Sequence, residues 1–131
     1  MSVTISIDHH NARLAATLAF LNAGAGSAAL RIYADARPAT PDTAASGTLL
    51  ATIDLAKPAG NISAGVLHLA AAGDGLIMAT GVAAWARLLS ADGGVALDLD
   101  CGDAASSADI KLASTQLYEG GFARLVSAEI W

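Results

Sequence analysis

The sequence predicts a mainly β protein: an antiparallel β-sandwich or jelly-roll-like domain with one short N-terminal α-helix. Three observations predict it. Apolar and polar residues alternate with a period of two over much of the chain after Ala28, which is typical of half-buried strands. Turn signals rich in Gly, Asp and Pro divide these runs at near-regular spacing. Near the N-terminus, Leu14, Leu18 and Leu21 follow a helical period instead.

The domain organisation follows from length and pattern. A chain of 131 residues is long enough for one core, so we expect a single domain over residues 1–131. Within it, a strand and helix segment at 1–27 precedes the β-sandwich at 28–131. No internal repeat or linker divides the chain further.

The N-terminal segment predicts a short strand and then a helix. Val3 to Ile7 alternates between apolar and polar residues. Asp8 is a favourable N-cap residue, so the helix is expected over His9 to Leu21. Gly24 follows at the position where a glycine often ends a helix.

The remaining elements are predicted strands, at 28–34, 48–55, 65–72, 76–90, 94–101, 108–113 and 121–130. Ala91-Asp92-Gly93-Gly94, between two alternating runs, is the strongest hairpin signal. Lys57 to Asn61 predicts another turn. The segment before the hairpin is apolar on both faces, with Trp85 on one and Leu88 on the other. This pattern predicts a central strand, or one covered by a neighbouring subunit.

The longest loop runs from Ala36 to Thr48 between the first two predicted strands. Pro38 and Pro41 exclude a helix there and favour an extended conformation. The loop has little charge and no group suited to catalysis, so we expect it to present a contact surface.

Composition narrows the possible partners. Charged residues make up only 15% of the chain, against about 25% in typical soluble domains. So few charges favour obligate assembly. A GC-rich genome, which favours Ala and Gly in its proteins, is an equal alternative explanation. The net charge of −5 and the scattered Lys and Arg residues argue against nucleic acid as a partner.

Composition also bears on location. No apolar run approaches the roughly 20 residues of a membrane span, so no membrane partner is expected. The N-terminus shows no signal-peptide pattern, and Cys101 is the only cysteine. Synthesis in a reducing bacterial cytoplasm is therefore expected.

The strongest metal candidate is the acidic run Asp98, Asp100 and Asp103. The order of a calcium-binding EF-hand loop is not met, because Gly102 precedes Asp103 and no glutamate closes the loop. A solvent-facing strand side followed by a turn explains these residues better. We therefore predict no metal and no cofactor.

Other candidate groups have simpler interpretations. The three histidines, His9, His10 and His68, do not form a metal-ligand spacing. Cys101 sits at an inward strand position without a nearby histidine, as a small core residue does. Trp85, Trp131 and Tyr33 could form a carbohydrate-stacking platform, but core or interface anchoring is the preferred interpretation. No catalytic residue is predicted.

Three segments together resemble a family of small virion structural proteins encoded among the structural genes of tailed bacteriophages and prophages. The first is LRIYADARPATPDTAASGTLLATIDL, from Leu30 to Leu55. The second is GVAAWARLLSADGGVALDLDCG, from Gly81 to Gly102, and the third is ADIKLASTQLYEGG, from Ala108 to Gly121. The Arg-Pro-Ala-Thr element and the Trp-x-Arg-Leu-Leu hairpin are the most specific parts of the resemblance.

The resemblance implies a non-enzymatic virion component, most simply a capsid decoration (cement) protein that binds the major capsid protein. A tail, head–tail connector or fibre-associated component, or binding to other virion proteins, is the alternative within this class. A receptor- or carbohydrate-binding module that uses Tyr33, Trp85, Asp98 and Asp100 is the alternative from another class. We expect location in the virion and a homo-oligomer, a dimer or trimer. The expected interface residues are Leu14, Leu18, Arg37, Pro38, Thr40, Pro41, Trp85, Ile130 and Trp131.

Overall fold

A computed structural model describes residues 3–131. The mainly β prediction with one N-terminal helix is confirmed. The helix α1 spans Ile7–Asn22. The strands are β1 Ala29–Tyr33, β2 Leu49–Ser63, β3 Val66–Ala71, β4 Gly75–Leu76, β5 Gly81–Val82, β6 Trp85–Leu89, β7 Val95–Asp103, β8 Ile110–Leu112, β9 Gln116–Leu117, β10 Phe122–Ala123 and β11 Leu125–Ile130.

Seven strands close into a barrel, in the order β1-β2-β3-β11-β8-β7-β6, and β6 pairs back onto β1. The sandwich or jelly roll predicted from the sequence is therefore replaced by a closed wall. Six of the neighbouring pairs are antiparallel and one, β7 with β8, is parallel. In a closed ring the number of direction reversals must be even, so a barrel of seven strands needs at least one parallel pair.

The connection that makes the parallel pair is unusually short. Parallel neighbours normally need a crossover of a dozen residues or more, whereas only residues 104–109 separate β7 from β8. Asp103 holds this return, since its Oδ1 accepts a hydrogen bond from the Ala105 N–H at 3.0 Å. Gly102 suits this position because an added Cβ would collide with the Ser106 side chain. The return thus depends on one carboxylate and one residue without a side chain.

Three strand predictions differ in extent from the structure, one of which is the predicted strand 121–130, divided into β10 and β11. Residues 57–61, predicted as a turn, lie inside the long strand β2, where the pairing shifts between Leu55 and Gly60. Pro58 has no backbone N–H to give to a ladder, so it fits a bulge in a strand better than a regular position. The predicted strand 76–90 is divided into β4, β5 and β6. The predicted hairpin over Ala91 to Gly94 joins β6 to β7.

The N-terminal prediction was partly wrong. Residues 3–6 are not a strand, and the helix begins at Ile7. Ser6, not Asp8, is the N-cap, and its Oγ accepts the His9 N–H at 3.1 Å. Asp8 lies in the first turn, where a carboxylate favours the helix dipole. Both residues are good N-caps, and the sequence does not decide between them.

The helix covers one end of the barrel. Leu14 and Leu21 belong to the core. Asn11 accepts the Gly65 N–H at 2.9 Å and Asn22 accepts the Ala59 N–H at 2.9 Å, which ties both ends of the helix to β2 and its turn into β3. The Leu21 carbonyl also accepts the Ala91 N–H from the β6–β7 hairpin at 2.9 Å.

The lid, residues 72–84 and 113–124, covers the opposite end of the barrel, since these segments join β3 to β6 and β8 to β11 there. The segments pair with each other through β4–β10 and β5–β9. Ile77 exchanges two hydrogen bonds of 2.9 Å with Gly120 and Gly121. The Met78 N–H bonds the Leu50 carbonyl at 2.7 Å, which fixes the lid to β2. One hydrophobic cluster includes residues of helix, wall and lid.

Candidate functional site

The outer face of β1, β6 and β7 carries the largest group of functional side chains. In β6, Ala86 and Leu88 point into the barrel core, and Trp85, Arg87 and Leu89 occupy the other face. All five are nevertheless buried. Of the two alternatives predicted for this strand, the structure shows the central one, since β6 lies between β1 and β7 and is buried within its own chain.

Aromatic and cationic side chains stack on this outer face. The rings of Tyr33 and Trp85 lie 4.6 Å apart with an interplanar angle of 14°. The Arg87 guanidinium carbon is 5.3 Å from the centroid of the Trp85 ring, within the range of a cation–π contact. Trp85 is 1% exposed, and its Nε1 has no hydrogen-bond partner. These rings therefore offer no free face to a sugar, unlike the platform considered from the sequence.

Arg87 also forms a two-point ion pair with Asp98 of β7. Its Nε lies 2.8 Å from Oδ1 and its Nη2 lies 3.1 Å from Oδ2. The two side chains are only 7% and 5% exposed. The hydrogen bonds to Asp98 raise the pKa of Arg87 above its ordinary value, against the opposing effect of burial. Asp98 is thus a structural counter-ion and not the solvent-facing residue predicted from the sequence.

The loop between β1 and β2 lies over this ion pair. The Arg37 Nη1 donates to the Asp98 carbonyl at 3.3 Å and lies 3.5 Å from the Asp100 carboxylate. Arg37, Pro38, Ala39 and Pro41 line a cavity of about 140 Å³ together with Asp98. The loop predicted to contact another subunit therefore packs on its own barrel through these residues, while Thr40 and the rest of its outer side stay exposed.

The three aspartates of β7 have three separate roles. Asp98 pairs with Arg87, Asp100 pairs with Arg37, and Asp103 holds the return to β8. Within residues 3–131, no group of three or more His, Cys, Asp or Glu residues is placed to hold a metal ion. Cys101 is half-buried, and burial raises the pKa of its thiol to about 12.

The other predicted interface residues divide into buried and exposed ones. Leu14 is 3% exposed and Ile130 is 9% exposed, so both serve the core and leave little surface for a neighbour. Leu18 is half-buried against the same core. Trp131 is 72% exposed. Of the nine predicted residues, Trp131 is the one that offers a large free apolar surface.

An exposed apolar surface lies on the lid, in segments that the sequence did not predict as an interface. We call it the lid face and define it by five exposed side chains: Leu76 (55%), Met78 (47%), Val82 (55%), Tyr118 (65%) and Phe122 (67%). A cavity of about 200 Å³ opens beside the two aromatic rings. The uninterrupted apolar run Leu76-Ile77-Met78 is the sequence signal that could have indicated this face, because such a run places apolar side chains on both sides of an extended segment.

A second apolar surface lies where α1 meets β7. Phe20 is 46% exposed and Val95 is 39% exposed, and they line an open groove of about 370 Å³ with Ala16, Thr17 and Leu97.

The histidines lie on separate elements. The His68 side chain is 3.7 Å from the Glu129 carboxylate on the barrel wall, and His9 belongs to the first turn of the helix.

Comparisons with protein-family models, with curated proteins and with solved structures found no match to this chain. Over residues 3–131, no helix is long and apolar enough to cross a membrane. The described residues thus form a closed barrel with two exposed apolar surfaces. On the outer face of β6 and β7, the ion pairs Arg87–Asp98 and Arg37–Asp100 are formed within the chain.

Proposed function

We propose that this chain is a non-enzymatic structural protein of a tailed-phage virion, most simply a capsid decoration protein. The sequence resemblance suggests the class, and one structural observation carries the proposal. Within residues 3–131, eleven large apolar side chains are exposed, five of them on the lid face. Contiguous exposed apolar surface on a small protein marks interaction with other macromolecules.

The architecture suits assembly. The barrel wall, the helix and the lid share one core, so exposed side chains are held in fixed positions relative to one another. Fixed positions reduce the ordering entropy lost on binding. In a shell that repeats the same site many times, even a weak contact per subunit adds up through multivalency.

The surface proposed to meet the major capsid protein is the exposed side of the loop 36–48. Its inner side is held on the barrel by Arg37, Pro38 and Pro41. Among the outward residues, Thr40 and Thr43, whose hydroxyls lie 3.1 Å apart, are uncharged, and Asp42 between them is the one exposed acid of the loop. A loop fixed from below and with little charge on its outer side can pack closely against another protein.

Binding to emptied, undecorated capsids tests the proposal. We expect the purified chain to bind them in a saturable manner and to raise their thermal stability. Thr40→Glu should weaken this binding, while Ser63→Glu, the same charge at the exposed end of β2, should not. Capsids that neither bind nor gain stability would argue against decoration.

Imaging of virions that carry the protein then separates the positions within the particle. Density on the shell supports decoration, whereas density at the tail, the head–tail connector or the fibre base assigns one of those positions. Calcium-dependent binding to bacterial surface glycan by a soluble monomer would instead support the receptor-binding alternative. The burial of Tyr33 and Trp85 disfavours that alternative, because these were its sugar-stacking residues.

A further inference from the structure

The lid has large apolar side chains on both of its faces. Along β4 and the residues after it, Ile77 points into the core while Leu76 and Met78 point outward. In the partner segment, Leu117 and Ala123 are buried while Tyr118 and Phe122 are exposed. A two-stranded layer on a core normally places polar residues outward. An apolar outer side therefore indicates that another surface covers the lid.

The exposed area is large enough for a specific interface. Tyr118 and Phe122 are about two-thirds exposed, so these two rings present roughly 200–300 Å², given about 150–250 Å² for an aromatic side chain. Leu76 and Phe122 are register partners, so their side chains are neighbours on this face. Counted together with Leu76, Met78 and Val82, the exposed apolar area approaches the roughly 500 Å² per partner of a small specific interface.

The lid face has both a projection and a depression. The Tyr118 and Phe122 rings project from its surface, and the cavity of about 200 Å³ lies directly beside them. Buried Ile77, Leu117 and Ala123 contribute to the walls of this cavity. A surface that carries a projection next to a matching depression can pair with itself about a two-fold axis, since each copy supplies what the other receives.

The charge distribution also favours a second copy. The whole chain has a net charge of −5, which disfavours close approach of two copies on most faces. In the lid, residues 72–84 have one acid, Asp74, and residues 113–124 have one acid and one base, Glu119 and Arg124. With two acids and one base, the lid has a net charge of −1 and accounts for little of the chain's negative charge.

We propose that the lid face pairs with the lid face of a second copy in a two-fold symmetric dimer. The aromatic rings of each copy pack beside or into the cavity of the other. This dimer does not rest on the virion assignment, because it forms from the purified chain alone.

Sedimentation equilibrium of the purified chain over a wide concentration range tests the dimer. We expect a reversible monomer–dimer equilibrium, weakened about ten- to hundredfold by Phe122→Ser or Tyr118→Ser, in the range of interface hot spots. Trp131→Ser and Phe20→Ser are the matched controls, because they remove exposed rings elsewhere and should leave the equilibrium unchanged. Near-ultraviolet circular dichroism of the buried Tyr33–Trp85 pair reports whether each variant is folded.

If either ring variant fails to fold, Val82→Lys takes its place, because this exposed side chain can accept a charge without entering the core. A wild-type chain that stays monomeric at every concentration overturns the proposal. So does a dimer that resists the lid variants and dissociates with Phe20→Ser. A monomer whose lid variants lose binding to capsids also overturns it, and assigns the lid to the shell.

Discussion

The outer face of β6 and the lid face have similar amino-acid patterns but different surroundings. Both direct large apolar side chains away from the barrel core. Trp85 on β6 is 1% exposed, beneath its own ring partner Tyr33 and beside the loop held by Arg37, while Phe122 on the lid is 67% exposed. An outward apolar pattern therefore predicts that another surface covers it. Only the structure shows whether the same chain supplies that surface.

The largest expected difference between these regions is in truncation to alanine. Trp85→Ala removes a buried ring from the stack with Tyr33 and leaves a cavity, so we expect it to lower the free energy of unfolding by about 3–5 kcal/mol. Phe122→Ala removes an exposed ring and should change the stability of the monomer by less than about 0.5 kcal/mol. Urea unfolding at low protein concentration measures both. Equal losses would mean that the two faces are equally covered.

The second largest loss of stability is expected from breaking the buried ion pair between Arg87 and Asp98. Asp98→Asn leaves the Arg87 guanidinium buried without its counter-ion, and we expect a loss of about 3 kcal/mol. Asp100→Asn is the control on the same strand, because its pair with Arg37 is solvent-exposed. The same denaturation series compares them. Similar losses for both variants would contradict the distinction between the buried and the exposed pair.

The pH dependence of the free energy of unfolding tests the burial of the Cys101 thiol on β7. The pKa of Cys101 is raised to about 12 in the folded chain, so the native state keeps a proton that the unfolded state releases near pH 8.5–9. Stability is therefore expected to fall as pH rises from about 9 toward 12, at up to about 1.4 kcal/mol per pH unit. Cys101→Ala should remove this part of the slope. An unchanged slope of stability against pH in Cys101→Ala would mean that other titratable groups cause the loss of stability.

The smallest effect is expected at the loop. Arg37→Ala removes an exposed ion pair and one long hydrogen bond to the Asp98 carbonyl, so the loss should stay below about 1 kcal/mol and vanish in high salt. Trp85 fluorescence should shift to longer wavelength if the loop opens. Arg31→Ala, at an exposed position on β1, is the control. A large, salt-independent loss would show that Arg37 holds more of the fold than its contacts suggest.

Much of the fold followed from short-range pattern. The hairpin over Ala91 to Gly94 and the buried faces of β6 were predictable, because alternation and turn residues act between neighbours in the sequence. Closure of the barrel was not predictable. It depends on β1 pairing with β6, more than fifty residues away, and no local pattern specifies that partner.

The candidate sites also have parts that the sequence predicts and parts that depend on distant pairing. Trp85 was predicted as an anchor, but its partners Tyr33 and Arg87 and the carboxylate of Asp98 became evident only from strand register. Asp98 alternates as an outward residue should, and the covering loop makes it a buried one. The lid face was missed because β4, β5, β9 and β10 are two residues long, too short for alternation to stand out.

The odd number of wall strands has a consequence for solubility. With one parallel pair, the wall closes, so each of its seven strands has a neighbour on both sides, although β7 pairs with β8 only over Cys101–Asp103. Free strand edges are the usual templates for fibre growth, and a chain with only 15% charged residues has few charges to protect them. Closure removes most of these edges, so it favours association through side chains over recruitment of crowded copies into continuous β-structure.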